Sequence, residues 1–292
     1  MARYIEAKTI LSHVKNKPDP YFGLSYNMNL YRGCQHGCIY CDSRSECYQL
    51  GDLSDIRIKK DAIQTLEREL KSKRVRGTVG FGSMNDCYMP IEQEYQLTRK
   101  ALELMVKYRF PVHIISKSNL VTRDIDLLKE ISKTYAAVSL TITTTNDELS
   151  KIIEPHAPPS SKRFEALKQL ASEGIYCGIT FMPVLPYIND TEENVVDIAQ
   201  QAADCGANYI LASFGLTMRD GQREHLYQQF DKYFPNLRER YSTEFGNNYS
   251  CPSANSADLN KTLYFQCRQK HISTQMNFYK PNQPIQQKLI FE

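Results

Sequence analysis

Tryptophan is absent from this chain of 292 residues, and no apolar run approaches the roughly 20 residues that a membrane-spanning helix requires. The first twenty residues lack an apolar stretch long enough for a secretory signal peptide. Neither sign of charge dominates, because 36 Lys and Arg stand against 33 Asp and Glu, for a net charge of +3. This balance permits a nucleic-acid partner without indicating one. We therefore expect a cytoplasmic globular protein with no membrane partner.

Cysteine, by contrast, is abundant, with nine residues in the chain. In a reducing compartment cysteines serve as metal ligands, nucleophiles or buried apolar side chains more often than as disulfides. Four of the nine lie within fourteen residues, at Cys34, Cys38, Cys41 and Cys47, and the other five are scattered. The sequence thus directs attention to one short cysteine-rich segment.

Downstream of this segment, short apolar runs alternate with longer amphipathic stretches. The predicted strands are 27–31, 78–81, 112–116, 137–142, 177–182 and 209–212. The predicted helices lie near 61–72, 92–109, 122–133, 161–173, 192–204 and 221–232. Strands that alternate with helices of this length indicate parallel βαβ units, about six of them. An open (β/α) barrel and a doubly wound sheet both fit this pattern.

The cysteine-rich segment places Cys34, Cys38 and Cys41 at intervals of four and three residues. Three thiols at this spacing converge from one compact loop, and an iron–sulfur cluster held by three thiolates keeps one iron open for another ligand. A zinc site completed by His36 or Cys47 is an alternative, in which case the chain would be a zinc-binding interaction module. A redox dithiol is a third, because Cys38 and Cys41 form a C-x-x-C pair.

The Cys-x3-Cys-x2-Cys loop follows the first predicted strand, and it resembles the radical S-adenosylmethionine (SAM) superfamily. The resemblance covers roughly residues 5–275 and is nearest to the spore photoproduct lyase and DNA repair photolyase-like group. The stretches that carry it are 29–41, 82–92, 115–124 and 154–163. It implies an α/β fold with a partial (β/α)6 radical SAM barrel and a small C-terminal extension. The implied division is an N-terminal extension at 1–24, a barrel at 25–235 and a cap at 236–292.

The same resemblance implies two cofactors, a [4Fe–4S] cluster held by Cys34, Cys38 and Cys41, and SAM bound at the open iron. Reduction would then cleave SAM to a 5′-deoxyadenosyl radical that abstracts hydrogen from a substrate. An electron donor such as flavodoxin or ferredoxin is the implied partner, and DNA is the implied substrate. The alternative is a radical SAM enzyme that acts on a peptide, an RNA or a small molecule.

The loop after the second barrel strand contributes the first group of expected SAM-binding residues. Gly82 and Ser83 would let the main chain approach the adenosine closely, and Asp86 would accept hydrogen bonds from the ribose hydroxyls. An ordinary turn is the alternative interpretation, because Asn and Asp favour turns.

Later strands and one helix contribute the second group. Resemblance to the lyase places Lys117 near the SAM carboxylate, and places on the next strand a hydroxyl that contacts SAM, from Thr141 or Thr143. Arg163, at the start of a helix, would lie within reach of a carboxylate on the barrel rim. Its alternative is a surface ion pair with Glu154, which would contribute about 0–1 kcal/mol.

The sequence departs from the lyase at two positions. The lyase returns a hydrogen atom from a cysteine at the position that Ser83 occupies, and it has a tyrosine where this chain has Asp42. Cys87 is a candidate substitute donor, and Tyr40 is a candidate radical relay as well as a cofactor-binding residue. These departures leave cluster and SAM binding intact and question the thymine-dimer reaction.

Overall fold

The computed structural model describes residues 3–15 and 18–280. Its strands in chain order, β1 to β11, are Arg3–Ile5, Leu11–His13, Tyr26–Met28, Tyr31–Arg32, Arg57–Lys59, Val79–Phe81, Val112–Ser116, Ala136–Thr141, Tyr176–Val184, Tyr209–Thr217 and Ser250–Pro252. Its helices, α1 to α10, are Ala62–Ser72, Glu92–Tyr95, Leu97–Tyr108, Ile125–Ser132, Asp147–Ile153, Ser160–Ser172, Glu192–Asp204, Gln222–Tyr233, Leu237–Phe245 and Ser256–Gln269. Three 3₁₀ turns are Asp42–Arg44, Glu46–Tyr48 and Asn119–Asp124.

One sheet organises the molecule, with strand order β11-β10-β9-β8-β7-β6-β3-β2. The six strands from β3 to β10 in this order pair in parallel, while β2 and β11 pair antiparallel at the two edges. The predicted α/β class with six parallel strands is therefore confirmed. Both segments that flank the predicted barrel extend its sheet, because β2 precedes residue 25 and β11 follows residue 235.

The central strands are buried on both faces, as parallel strands covered by helices must be. All six residues of β8 are buried, and so are four of the five residues of β7. Both strands are rich in β-branched and apolar side chains, which explains why the sequence pattern predicted them well. Helices α3, α4, α6 and α7 bury their apolar faces against this sheet in the main core.

The predicted helix at 92–109 is wrong as a continuous element. It breaks into α2 and α3 at Gln96, which has a left-handed φ of 52°. The buried carboxylate of Glu92 accepts a hydrogen bond of 3.0 Å from the backbone amide of Thr98, which satisfies a free donor in the first turn of α3. The predicted strand at 27–31 divides into β3 and β4, and the helices α5, α9 and α10 were not predicted.

The helices give no sign of a membrane span. Among residues 3–15 and 18–280, no helix is both long and apolar enough to cross a bilayer.

Candidate active site

A cavity of about 630 Å³ opens at the carboxyl ends of the parallel strands. Consecutive strands each contribute to its wall at or just beyond that end, through Gly82 after β6, Lys117 after β7, Thr141 on β8, Met182 on β9 and Gly215 on β10. Cofactors and substrates bind at this edge in parallel α/β folds, because the connecting loops converge there. The cavity is therefore the candidate active site.

The three thiols of the cysteine motif, those of Cys34, Cys38 and Cys41, all line this cavity. None of them forms a disulfide. Burial raises the pKa of the Cys34 thiol to about 11 and raises that of Cys38 further, so both stay protonated until a metal displaces the proton. No group of three or more His, Cys, Asp or Glu side chains among the described residues has the geometry to hold a single metal ion. An iron–sulfur cluster, in which each thiolate binds a different iron, suits this donor set better.

Residues 33–41, the cluster loop, are held to the rest of the protein by main-chain hydrogen bonds. The backbone amide of Cys34 donates to Leu53 (2.8 Å), and that of Ile39 donates to Ile153 (2.9 Å). Gly33 is required where the loop begins, because its φ is 93° and a Cβ would lie 2.7 Å from the Leu53 carbonyl oxygen. The loop geometry is thus fixed by contacts that do not involve the thiols.

A buried ion pair, formed by Glu154 and Arg163, lies behind the cluster loop and contacts Tyr40 of that loop. The Arg163 Nη1 lies 2.5 Å from the Glu154 carboxylate, and both side chains are at most 1% exposed. Tyr40 donates its hydroxyl proton to the same carboxylate. Burial and the Glu154 charge raise the pKa of Tyr40 well above its ordinary value, which keeps the phenol protonated. The surface ion pair offered as the alternative for Arg163 is therefore wrong, because the pair is fully buried.

Arg163 also differs from its expected place in the SAM pocket. It does not line the cavity, and it donates hydrogen bonds to the carbonyl oxygens of Thr141 (2.9 Å) and Pro158 (2.7 Å). Its Nη2 is buried and has no hydrogen-bond partner among the described residues. Arg163 thus lies behind the wall formed by Thr141, with one donor unsatisfied.

Lys117 brings a positive charge into the cavity. Its ammonium group lies 5.6 Å from the centre of the Tyr40 ring and has no ion-pair partner within 4 Å among the described residues. Burial lowers the pKa of Lys117, but the neighbouring acidic groups, the Cys38 thiol in its thiolate form and the Glu154 carboxylate, outweigh burial and raise it. The side chain is therefore a cation at neutral pH that is available to an anionic ligand.

Asp86 lines the cavity but does not present free acceptor oxygens to it. Its carboxylate accepts hydrogen bonds from the Ser116 hydroxyl (2.8 Å) and from the amides of Lys117 (2.6 Å) and Tyr88 (2.8 Å). His36 Nε2 lies 3.1 Å from the same group. A carboxylate has about four acceptor positions, so these three hydrogen bonds occupy most of them. Little acceptor capacity is left for the ribose hydroxyls that Asp86 was expected to bind.

Two other expected residues lie outside the cavity wall. Cys87 is buried in the main apolar core, where burial and Asp86 raise the pKa of its thiol well above the ordinary value. Thr143 is buried beyond the end of β8, and its carbonyl accepts hydrogen bonds from Asn189 and Asn194. The strand ends at Thr141, so only that threonine of the pair reaches the cavity.

Sequence reasoning missed several residues of the cavity. β11 places Cys251 beside the cavity, where its side chain is fully buried in an apolar cluster. At the cavity rim, Arg219 pairs with Asp42 (2.8 Å) and donates to the Tyr48 hydroxyl (2.8 Å). The sequence carries no signal for either feature. Arg219 and Tyr48 are 171 positions apart, and Cys251 lies on a strand of only three residues.

Gly82 offers a prediction that tests the packing of this wall. Its φ is 94°, and a Cβ would overlap the carbonyl oxygen of Ile115 on β7. Gly174 also has a positive φ, of 75°, but a Cβ there meets nothing within 4 Å. We expect Gly174→Ala to cost about 1–2 kcal/mol for the left-handed backbone, and Gly82→Ala to cost about 1–3 kcal/mol more because of the overlap. Urea unfolding of both variants measures the difference, and equal losses would contradict the described approach of Gly82 to β7.

Comparisons with known proteins agree on one family. Residues 28–199 match the model of the radical SAM superfamily. An uncharacterised protein of Methanocaldococcus jannaschii is 37% identical over 172 residues, which are 58% of this chain and 64% of that protein. A protein of Pseudomonas phage M6 named radical SAM Nalpha-GlyT isomerase is 26% identical over 200 residues, covering 68% of this chain and 41% of its own length.

A solved structure of a spore photoproduct lyase variant with bound AdoMet and dinucleoside spore photoproduct matches with a TM-score of 0.65 and 15% identity, covering 90% of this chain and 78% of that one. At this identity the likeness shows the fold, a partial (β/α)6 barrel. The chain spans less than two thirds of the length of the Methanocaldococcus and phage proteins. Because the family model covers more than half of its residues, this chain belongs to the radical SAM superfamily, whose cofactors are a [4Fe–4S] cluster and SAM.

Proposed function

We propose that this protein uses a [4Fe–4S] cluster held by Cys34, Cys38 and Cys41 to cleave SAM and abstract a hydrogen atom from a base in DNA. One observation supports the binding of these two cofactors: three free thiols and the Lys117 cation line the same cavity. When bound, the cluster supplies the electron that breaks a carbon–sulfur bond of SAM. The protein has to position SAM, exclude water and aim the radical.

The residues around the cavity suit these tasks. Lys117 offers an unpaired ammonium to the SAM carboxylate, and a charge-assisted contact of this kind is among the strongest that a polar group makes. Gly82 and Ser83 bring main chain to the cavity beside β6, where the adenosine would lie. Tyr40 already donates its proton to Glu154, so a proton acceptor is in place if Tyr40 serves as a radical relay.

Cavity size bears on the substrate. About 630 Å³ lies within the roughly 300–1,000 Å³ typical of small-molecule sites. This volume accommodates one cofactor and the reacting end of a substrate, and not a whole polymer. A DNA substrate would therefore present a single base or dinucleotide to the cavity, in line with the dinucleoside bound by the lyase variant of the same fold.

The residue at position 83 is the main difference between this site and that of the lyase. Ser83 is exposed and close to Asn29 (3.3 Å), and a hydroxyl is a far poorer hydrogen-atom donor than the thiol that the lyase has here. The second candidate function is accordingly a radical SAM reaction on a peptide, an RNA or a small molecule. Either reaction needs a one-electron donor such as flavodoxin or ferredoxin.

The substrate is tested by measuring 5′-deoxyadenosine released from SAM by reduced, reconstituted protein. We expect dimer-containing DNA to stimulate release above the level with SAM alone, and undamaged DNA of the same sequence serves as the matched control. Equal release in all three samples would contradict a DNA photoproduct substrate. Stimulation by undamaged DNA would favour a base-modifying reaction over repair.

The role of Lys117 gives a separate prediction. Lys117→Met removes the charge but retains most of the apolar stem, and a hydrogen bond to a charged group contributes about 1.5–3 kcal/mol. We therefore expect SAM to bind roughly 10- to 100-fold more weakly, measured by equilibrium dialysis with the reconstituted protein. Lys133→Met, which changes an exposed lysine paired with Glu130, is the control. An unchanged Kd in Lys117→Met would contradict the assignment.

A further inference from the structure

Asp86 lies at the junction of three elements around the cavity, although the sequence suggested a direct contact with ligand. Two of its hydrogen-bond donors, the Ser116 hydroxyl and the Lys117 amide, come from the end of β7. A third, the Tyr88 amide, comes from its own loop. The fourth contact is His36, which lies in the cluster loop midway between Cys34 and Cys38. One side chain thus joins the cluster loop to the strand that carries the cavity cation.

Asp86 and the three thiols of the cluster loop, those of Cys34, Cys38 and Cys41, line the same cavity. Nearby charges are among the features that set the reduction potential of an iron–sulfur cluster.

Burial makes the contact between Asp86 and His36 consequential. Asp86 is 8% exposed and His36 is 1% exposed, so neither can exchange its partner for water. The contacts with His36 and with three hydrogen-bond donors outweigh the effect of burial and hold the pKa of Asp86 well below its ordinary value, so the carboxylate is charged. A permanent negative charge beside the cluster loop disfavours adding an electron to the cluster.

We infer that Asp86 is a positioning residue which fixes the cluster loop through His36 and lowers the reduction potential of the bound cluster, and that it does not bind the ribose of SAM. This inference rests on the proposed function, since it presupposes a cluster on Cys34, Cys38 and Cys41. Asp86 acts through other groups: it sets the place of His36, between Cys34 and Cys38, and of the Lys117 main chain.

The test compares Asp86→Asn with Asp124→Asn in reconstituted protein. Asp124 is also a fully buried carboxylate in this half of the molecule, but its partners are Arg99, Arg123 and the Tyr88 hydroxyl, away from the cluster loop. The measurements are the midpoint potential from an EPR-monitored redox titration, the loss of iron to a chelator and the Kd for SAM.

For Asp86→Asn we expect a higher midpoint potential and iron loss about 10- to 100-fold greater than in wild type, as for other groups that orient metal ligands. Asp124→Asn should leave the potential unchanged even where it lowers stability. An unchanged potential in folded Asp86→Asn would overturn the inference. Weaker SAM binding with unchanged potential and iron retention would overturn it too, in favour of the ribose contact.

If Asp86→Asn fails to fold, substitutions of His36 test the same inference. His36→Leu breaks the contact with the cluster loop and leaves the three hydrogen bonds of Asp86 to backbone and Ser116 intact. We expect faster iron loss in His36→Leu. In His36→Gln we expect partial recovery of iron retention, because the glutamine amide can reach the Asp86 carboxylate. Equal iron retention in both variants and in wild type would overturn the inference. Wild-type protein without iron would instead overturn the proposed function, so the two failures are distinguishable.

Discussion

Replacing any one of Cys34, Cys38 and Cys41 by alanine should abolish the iron–sulfur cluster. After anaerobic reconstitution, wild-type protein should hold about four irons per chain and absorb visible light, because three thiolates suffice for a cluster with one open iron. Each variant leaves only two thiolates and should hold iron at the background level. The measurement is iron analysis combined with an absorption spectrum of the reconstituted protein.

Cys47 provides the matched control for this experiment. It belongs to the same cysteine-rich segment but is exposed and lies outside the cavity wall. Cys47→Ala should therefore retain wild-type iron and absorbance. If it lost iron while Cys41→Ala did not, the ligand set would be wrong. Stoichiometric zinc without iron or visible absorbance in wild-type protein would support the zinc-binding interaction module.

Replacing Arg163 by methionine should cause a large loss of stability. The change leaves the Glu154 carboxylate, 1% exposed, without its cationic partner. Removing one member of a buried ion pair typically costs about 3–5 kcal/mol, since an uncompensated charge remains in the interior. Urea unfolding of the protein without cofactors measures this free energy directly and does not depend on SAM.

Lys162 is the control for Arg163, because it precedes it on α6 and pairs with Glu165 at the surface. Lys162→Met removes an exposed pair that contributes about 0–1 kcal/mol. A loss for Arg163→Met as small as that for Lys162→Met would contradict the buried pair. Loss of SAM binding with no loss of stability would instead support the pocket role that the sequence suggested for Arg163.

Much of the fold was predictable because the parallel strands carry a local signal. The strand at 112–116 coincides with β7, and four of its five residues are buried. The elements that were missed depend on distant contacts. At the break at Gln96, the Glu92 carboxylate accepts hydrogen bonds from Thr98 and from Tyr31, which is 61 positions away. On β10, Gly215 leaves room for the close approach of Pro252 on β11.

The candidate site was predictable where residue type alone dictates chemistry. Three cysteines at this spacing have few uses, and the structure brings their thiols to one cavity. The role of Asp86 was not predictable, because its partners His36, Ser116 and Lys117 are distant in sequence and meet only in the fold. Arg163 was similarly ambiguous, since an arginine at a helix start looks the same in sequence whether it is exposed or buried.

The most direct test of the proposed function is the cleavage of SAM by the reconstituted wild-type protein on reduction with dithionite. Chromatography should detect 5′-deoxyadenosine and methionine in the wild-type sample, and neither product above background with Cys34→Ala, Cys38→Ala or Cys41→Ala. An iron-loaded wild-type protein that leaves SAM intact under these conditions would contradict the central claim.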